Sequence, residues 1–117
     1  MLLETSITKT FSKNNKYTLY EINCITNLPT KKSCFSKIYK RYSEFLGFHN
    51  KIKKIVKDVP PFPKKKYDKM NHETISLRKI MFDNYLRYFC LMVSSESVSE
   101  ECKEILVKFL NLDYNEF

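Results

Sequence analysis

The sequence predicts an α+β domain: a three-stranded antiparallel sheet packed against a helical subdomain, with a proline-rich loop between the first two long helices. Three observations carry this prediction. Apolar and β-branched residues alternate with polar ones through the first third of the chain. At Tyr42 the apolar period lengthens to three or four residues. The run Pro60-Pro61-Phe62-Pro63 then separates two helical patterns. Strands first and helices afterwards is the α+β order, and 117 residues without an internal repeat read as one domain spanning 1–117.

Taken in order, the first strand is expected to place Leu3, Thr5, Ile7 and Phe11 on one face. Asn14-Asn15 follows; asparagine tolerates left-handed backbone, so a hairpin turn is expected there. Lys16 to Thr26 is rich in β-branched and aromatic residues, with Tyr20, Ile22 and Cys24 sharing a face. Residues 27–32, with Pro29, read as a loop. Cys34 to Arg41 alternates again and sets Phe35, Lys37, Tyr39 and Arg41 on one side.

The first helix carries Phe45, Phe48/His49, Ile52 and Ile55/Val56 inward, with Ser43 as N-cap and Glu44 in its first turn. Gly47 costs about 1 kcal/mol against Ala in a helix interior, which suggests close packing on the sheet at that position. Pro60-Pro61 is expected to end this helix, because the residue before proline is pushed out of helical geometry. Residues 59–73 form a loop. A second helix runs from about Thr74 to Val93, with Leu77, Met81, Tyr85, Tyr88 and Met92 on one stripe and Ile80, Phe82, Leu86, Phe89 and Val93 beside it. So wide an apolar surface predicts a mostly buried helix. Ser97-Val98-Ser99-Glu100 is a capping-box pattern opening a third helix, with Val98, Cys102, Ile105/Leu106 and Phe109 inward.

Composition narrows the function. The net charge is +8, and it is unevenly spread: residues 31–79 carry 15 Lys and Arg against 4 Asp and Glu, while residues 80–117 are net acidic. A basic segment of this kind suits a polyanion, either a membrane surface or nucleic acid, or else is a hydrated lysine-rich face. No apolar run approaches the ~18 residues of a spanning helix, and the first ten residues, with Glu4, do not resemble a secretory signal. Cys24, Cys34, Cys90 and Cys102 form no C-x-x-C pair, and His49 and His72 lie at no metal-binding spacing. Buried, reduced thiols of a cytoplasmic protein are expected, with no cofactor or metal. No glycine-rich phosphate loop or nucleophile–base pair is visible, so a binding module is expected and not an enzyme.

The chemistry concentrates in two stretches, Lys40-Arg41-Tyr42-Ser43-Glu44-Phe45 and Pro60-Pro61-Phe62-Pro63-Lys64-Lys65. A phosphate is best gripped by a planar guanidinium fork. Only three arginines stand against eighteen lysines, so their positions inform: Arg41 at the strand-to-helix corner, Arg78 early in the second helix, Arg87 further along it. A surface ion pair is the ordinary alternative for any one of them. Tyr42 beside Arg41 offers an apolar face to a sugar-like ring, or else caps the sheet as a core tyrosine. The proline loop is stiff and presents Lys64, Lys65 and Lys66 with reduced ordering cost. Pro60-x-x-Pro63 is also the minimal pattern for docking a protein partner.

Arg41-Tyr42-Ser43-Glu44-Phe45, then Pro60-Pro61-Phe62-Pro63-Lys64-Lys65, then Arg78 with Phe82 and Tyr85 downstream, resembles the Phox-homology (PX) domain family over nearly the whole chain. The resemblance implies a phosphoinositide-binding, membrane-targeting module on endosomal membranes, most often recognising phosphatidylinositol 3-phosphate. It implies Arg41 on the 3-phosphate, Tyr42 under the inositol ring, Lys65 on the 1-phosphate and Arg78 on the 4- and 5-hydroxyls. Lys64, Lys66, Tyr67 and Met70 are the membrane-contact candidates, and Phe62 is a candidate to pack inward. The chain departs from the family in having Lys40 where arginine is frequent, a short polar loop after the prolines, and a single glycine. A peripheral monomer is expected. The alternatives are a basic nucleic-acid-binding domain, disfavoured because no nucleic-acid motif is visible, and a protein-docking module with a vestigial lipid pocket, which the presence of all four pocket residues argues against.

Overall fold

The chain first reverses at Asn14 and Asn15, whose φ angles of 51° and 54° make the left-handed turn that asparagine tolerates. Lys16 N–H donates to the Lys13 carbonyl at 2.9 Å and closes it. The computed structural model describes residues 2–29, 34–65 and 69–112. In these, β1 (Leu3–Lys13), β2 (Tyr17–Thr26) and β3 (Phe35–Arg41) form one antiparallel sheet in the order β1-β2-β3. Three helices follow: α1 (Tyr42–Ile52), α2 (His72–Ser94) and α3 (Glu100–Phe109). This is the expected α+β architecture.

The core lies between the sheet's inner face and the helices. Tyr20, Ile22 and Cys24 of β2 are buried there as their alternation requires. Phe45 of α1 stacks on Phe82 of α2, centroids 3.8 Å apart and planes within 4°, and Tyr20 meets Phe82 edge-on at 5.1 Å. α2 also closes the outer edge of β1: the Ile7 N–H donates to Asp83 Oδ1 at 3.0 Å, and the Ser94 hydroxyl donates to the Leu3 carbonyl at 3.4 Å. These contacts satisfy edge groups that would otherwise remain unpaired.

Several expectations need correction. Phe11 does not share the inner face with Leu3, Thr5 and Ile7; a bulge between Ile7 and Lys9 shifts the register. One extra residue swaps every later side chain to the other face, so Phe11 is exposed and meets Tyr39 edge-on at 5.9 Å on the outer face. Ser43 is not the cap of α1. Arg41 is, and its backbone N–H donates to Glu44 Oε1 at 3.2 Å, so the reaching-back carboxylate sets the start. α1 ends at Ile52, well before the prolines: the Ile52 carbonyl accepts from both Ile55 and Val56 N–H, a tightened last turn. Gly47 is not packed on the sheet, since a Cβ there would meet nothing within 4 Å.

α2 buries one face instead of most of its surface. Phe82, Tyr85, Leu86, Phe89, Cys90 and Val93 are buried, while Leu77 and Ile80 stand exposed because sheet and helices cover one side only. It begins at His72, with Asn71 Oδ1 accepting from Glu73 and Thr74 N–H. α3 is capped by Ser99, not Ser97; the Ser99 hydroxyl accepts from Cys102 N–H at 3.3 Å. Cys102 and Leu106 are buried, and Val98, Ile105 and Phe109 pack partly buried against the core. All four cysteines are free, but Cys34 is exposed at the mouth of β3, contrary to the expected burial.

Candidate functional site

The end of the sheet where β2 begins and β3 finishes gathers the polar chemistry. Leu19 pairs with Arg41, which places Tyr17, two residues earlier, diagonally across from Arg41 on the outer face. The Arg41 guanidinium carbon lies 4.1 Å over the Tyr17 ring. One residue on, Tyr42 opens α1 and turns to the interior side. There the guanidinium carbon of Arg78 lies 4.0 Å over the Tyr42 ring. Asn71, by capping α2, sets the helical phase that brings Arg78 to this place in its second turn. Arg41 and Tyr42 thus adjoin Arg78 through one tyrosine, and each of the two arginines rests on an aromatic face.

Neither arginine forms an ion pair among the described residues; the pairs present join Lys37 to Glu21, Lys40 to Glu44 and Arg87 to Asp83. Arg87 is therefore the surface ion pair that the sequence allowed, at 2.9 Å across one helical turn. Arg78 is different. It is 5% exposed, and its buried Nε has no hydrogen-bond partner among the described residues. The buried Tyr20 hydroxyl lacks one too. Burial pushes the Tyr20 phenol up, and the nearby Arg78 guanidinium offsets part of that shift. A stack on Tyr42 compensates a buried guanidinium by about 2 kcal/mol, against several kcal/mol for withdrawing the charge from water.

The proline loop forms the opposite wall. The Tyr42 hydroxyl donates to the Pro63 carbonyl at 2.8 Å, and burial pushes that phenol up. Phe62 packs inward, stacked on His49 at 4.4 Å with planes 9° apart and lying 5.8 Å from Tyr42. His49 Nδ1 in turn lies 2.6 Å from the Tyr85 hydroxyl. α1, α2 and the loop are therefore tied through His49, Phe62 and Tyr85. Pro63 is buried by these contacts and Pro61 is exposed.

Of the remaining sequence candidates, Lys64 and Lys65 are exposed directly beyond Pro63. Met70 is partly buried, its sulfur 3.9 Å from the Thr18 hydroxyl at the start of β2. Lys66 and Tyr67 lie outside the described residues. Tyr17, Tyr20, His49 and the Phe62 stack were not anticipated as parts of the site. Tyr17 becomes visible only once the β2–β3 register is known. Among the described residues no cluster of His, Cys, Asp and Glu could hold a metal, and no helix is long and apolar enough to cross a membrane.

The chain and its fold have known counterparts. A family model described as PX domain matches residues 28–113. Sorting nexin-3 of Schizosaccharomyces pombe is 30% identical over 99 residues, covering 82% of this chain. Sorting nexin-3 of Candida albicans is 31% identical over 102 residues, covering 83%. The chain spans 66% and 62% of the lengths of these two relatives. Among solved structures, a designed CISK-PX domain has the same fold, with TM-score 0.65 at 22% identity over 92% of this chain and 97% of that one.

Proposed function

The chain belongs to the PX domain family, a family of non-enzymatic phosphoinositide-binding, membrane-targeting modules, and from that premise we propose that it recognises phosphatidylinositol 3-phosphate and brings its parent protein to endosomal membranes. The observation that carries this reading is Arg78: a guanidinium 5% exposed, over the Tyr42 ring, with an Nε that has no partner among the described residues. An anionic headgroup would supply the acceptor that Arg78 lacks among the described residues. In this assignment Arg41 meets the 3-phosphate, Lys65 the 1-phosphate and Arg78 the ring hydroxyls, with Tyr42 beside the inositol. Lys64, Lys66, Tyr67 and Met70 are the proposed membrane-contact residues, of which Lys64 is exposed and Met70 partly buried.

The +8 chain adds long-range attraction. Each basic side chain near an anionic leaflet contributes about 1 kcal/mol, so a moderate pocket affinity becomes a firm membrane affinity. The likeness to sorting nexin-3 supports a role in protein transport at a membrane surface.

The test is vesicle sedimentation across every phosphorylated form of phosphatidylinositol. The unmodified chain is expected to prefer the 3-phosphate. Arg41→Ala and Arg78→Ala are each expected to reduce that binding by roughly ten- to hundred-fold, the weight of a charge-assisted hydrogen bond. Equal binding of all vesicles, unchanged by either substitution in a chain of intact fold, rejects the pocket. Preference for another isomer revises the headgroup and keeps the site.

A further inference from the structure

We propose that Tyr17 is a positioning residue for Arg41: its ring holds the guanidinium flat, so that the in-plane N–H donors project from the corner of the sheet toward a phosphate. This rests on the reading of Arg41 as a headgroup ligand and adds to it a residue that neither motif contains.

The observation is the 4.1 Å approach of the guanidinium carbon to the Tyr17 ring, together with the lack of any ion pair to Arg41 among the described residues. The two ways to anchor an arginine have opposite chemical consequences. A carboxylate anchor would occupy the donor fork and cancel the charge. An aromatic face occupies only the π surface, leaving the donors in the plane and the charge uncompensated. Glu44, the nearest acid in sequence, is engaged elsewhere: it accepts from the Arg41 backbone N–H and pairs with Lys40 at 3.6 Å. Arg78 on Tyr42 repeats the arrangement at 4.0 Å.

Tyr17 is also well placed to be rigid. It is the first residue of β2, held by its pairing to Lys13 and by the closed turn at Asn14-Asn15. Arg41 is half-buried and sits between a strand end and a helix start. Stacking thus removes rotamer freedom from a long side chain before the ligand arrives, which is the entropic part of preorganisation.

The experiment is a double-substitution cycle read on vesicles carrying phosphatidylinositol 3-phosphate, with plain phosphatidylcholine vesicles as reference and melting temperature as the check on folding. Tyr17→Leu is expected to weaken binding roughly three- to ten-fold. Tyr17→Phe, which keeps the ring, is expected to stay within about two-fold of the unmodified chain. In an Arg41→Ala background Tyr17→Leu is expected to add nothing, because the group it positions is gone. Equal losses in both backgrounds, or none in either, overturn the proposal while leaving the pocket intact. A chain that binds no headgroup at all brings down the functional reading and this one together. Nuclear magnetic resonance of the unmodified chain gives an independent readout. Arg41 side-chain protons are expected upfield in the Tyr17 ring current, and soluble inositol 1,3-bisphosphate is expected to move the Arg41 and Tyr17 signals at the same concentration. Random-coil Arg41 shifts, or titration of Arg41 alone, would count against the stack.

Discussion

Single residues decide where this chain is reactive. Burial pushes the Cys24 thiol up to about 11 and the Cys90 thiol to about 12, so neither is a thiolate at neutral pH. Cys102 is buried and shifted in the same direction. Cys34 is exposed. A thiol-alkylating reagent is therefore expected to modify the folded chain at Cys34 alone, and the other three only after denaturation. Mass spectrometry of the adducts checks this; rapid native labelling at Cys24 or Cys90 would show that the sheet opens. The four thiols have the same chemistry, and their positions in the alternation explain only part of the difference. Cys24 follows Tyr20 and Ile22 on the inner face, whereas Cys34 precedes the first pair of β3.

At the scale of an element, α1 carries a glycine that its packing does not require. Gly47 sits in its interior with ordinary helical backbone and no neighbour within 4 Å of a notional Cβ. Neither a close approach nor a left-handed conformation needs glycine there. Gly47→Ala is expected to stabilise the chain by about 0.5–1 kcal/mol, raising the melting temperature by a few degrees. Calorimetry reads it directly, and a lower melting temperature would mean that the position has no room for a methyl group. The same helix shows how far capping signals go. Ser43 looks like the better cap by residue type, but Glu44 reaches back to the Arg41 N–H and starts the helix at Tyr42. That earlier start is what turns Tyr42 toward Arg78.

At the scale of the whole molecule, His49 joins α1 to the proline loop through Phe62 and to α2 through Tyr85. Its imidazole is held below the ordinary value of 6.5, first by burial and then by the Lys53 charge. The unfolded chain therefore takes up this proton more readily than the folded one. The stability linked to the neutral ring is fully present above 6.5 and declines as pH falls through the lower folded value. A lower melting temperature at about pH 5 than at about pH 7.5 is expected, with the slope reduced in His49→Phe, which keeps the stack on Phe62 and removes the titration. An identical slope in that variant would place the acid sensitivity elsewhere.

The grouping of Arg41, Tyr42 and Arg78 rests on the resemblance to a family; what the sequence by itself determined is the order and type of the elements and the turn at Asn14-Asn15. These follow from period and turn chemistry, both of which are local. Tertiary structure alone decided that a bulge sends Phe11 outward, that Leu77 and Ile80 stay in water, that Tyr17 lies under Arg41, and that Arg78 is buried without an acidic partner among the described residues. The physical reason is the same in each case. Strand register, helix phase and the burial of a charge depend on which distant segment arrives opposite, and no local pattern of residues carries that information.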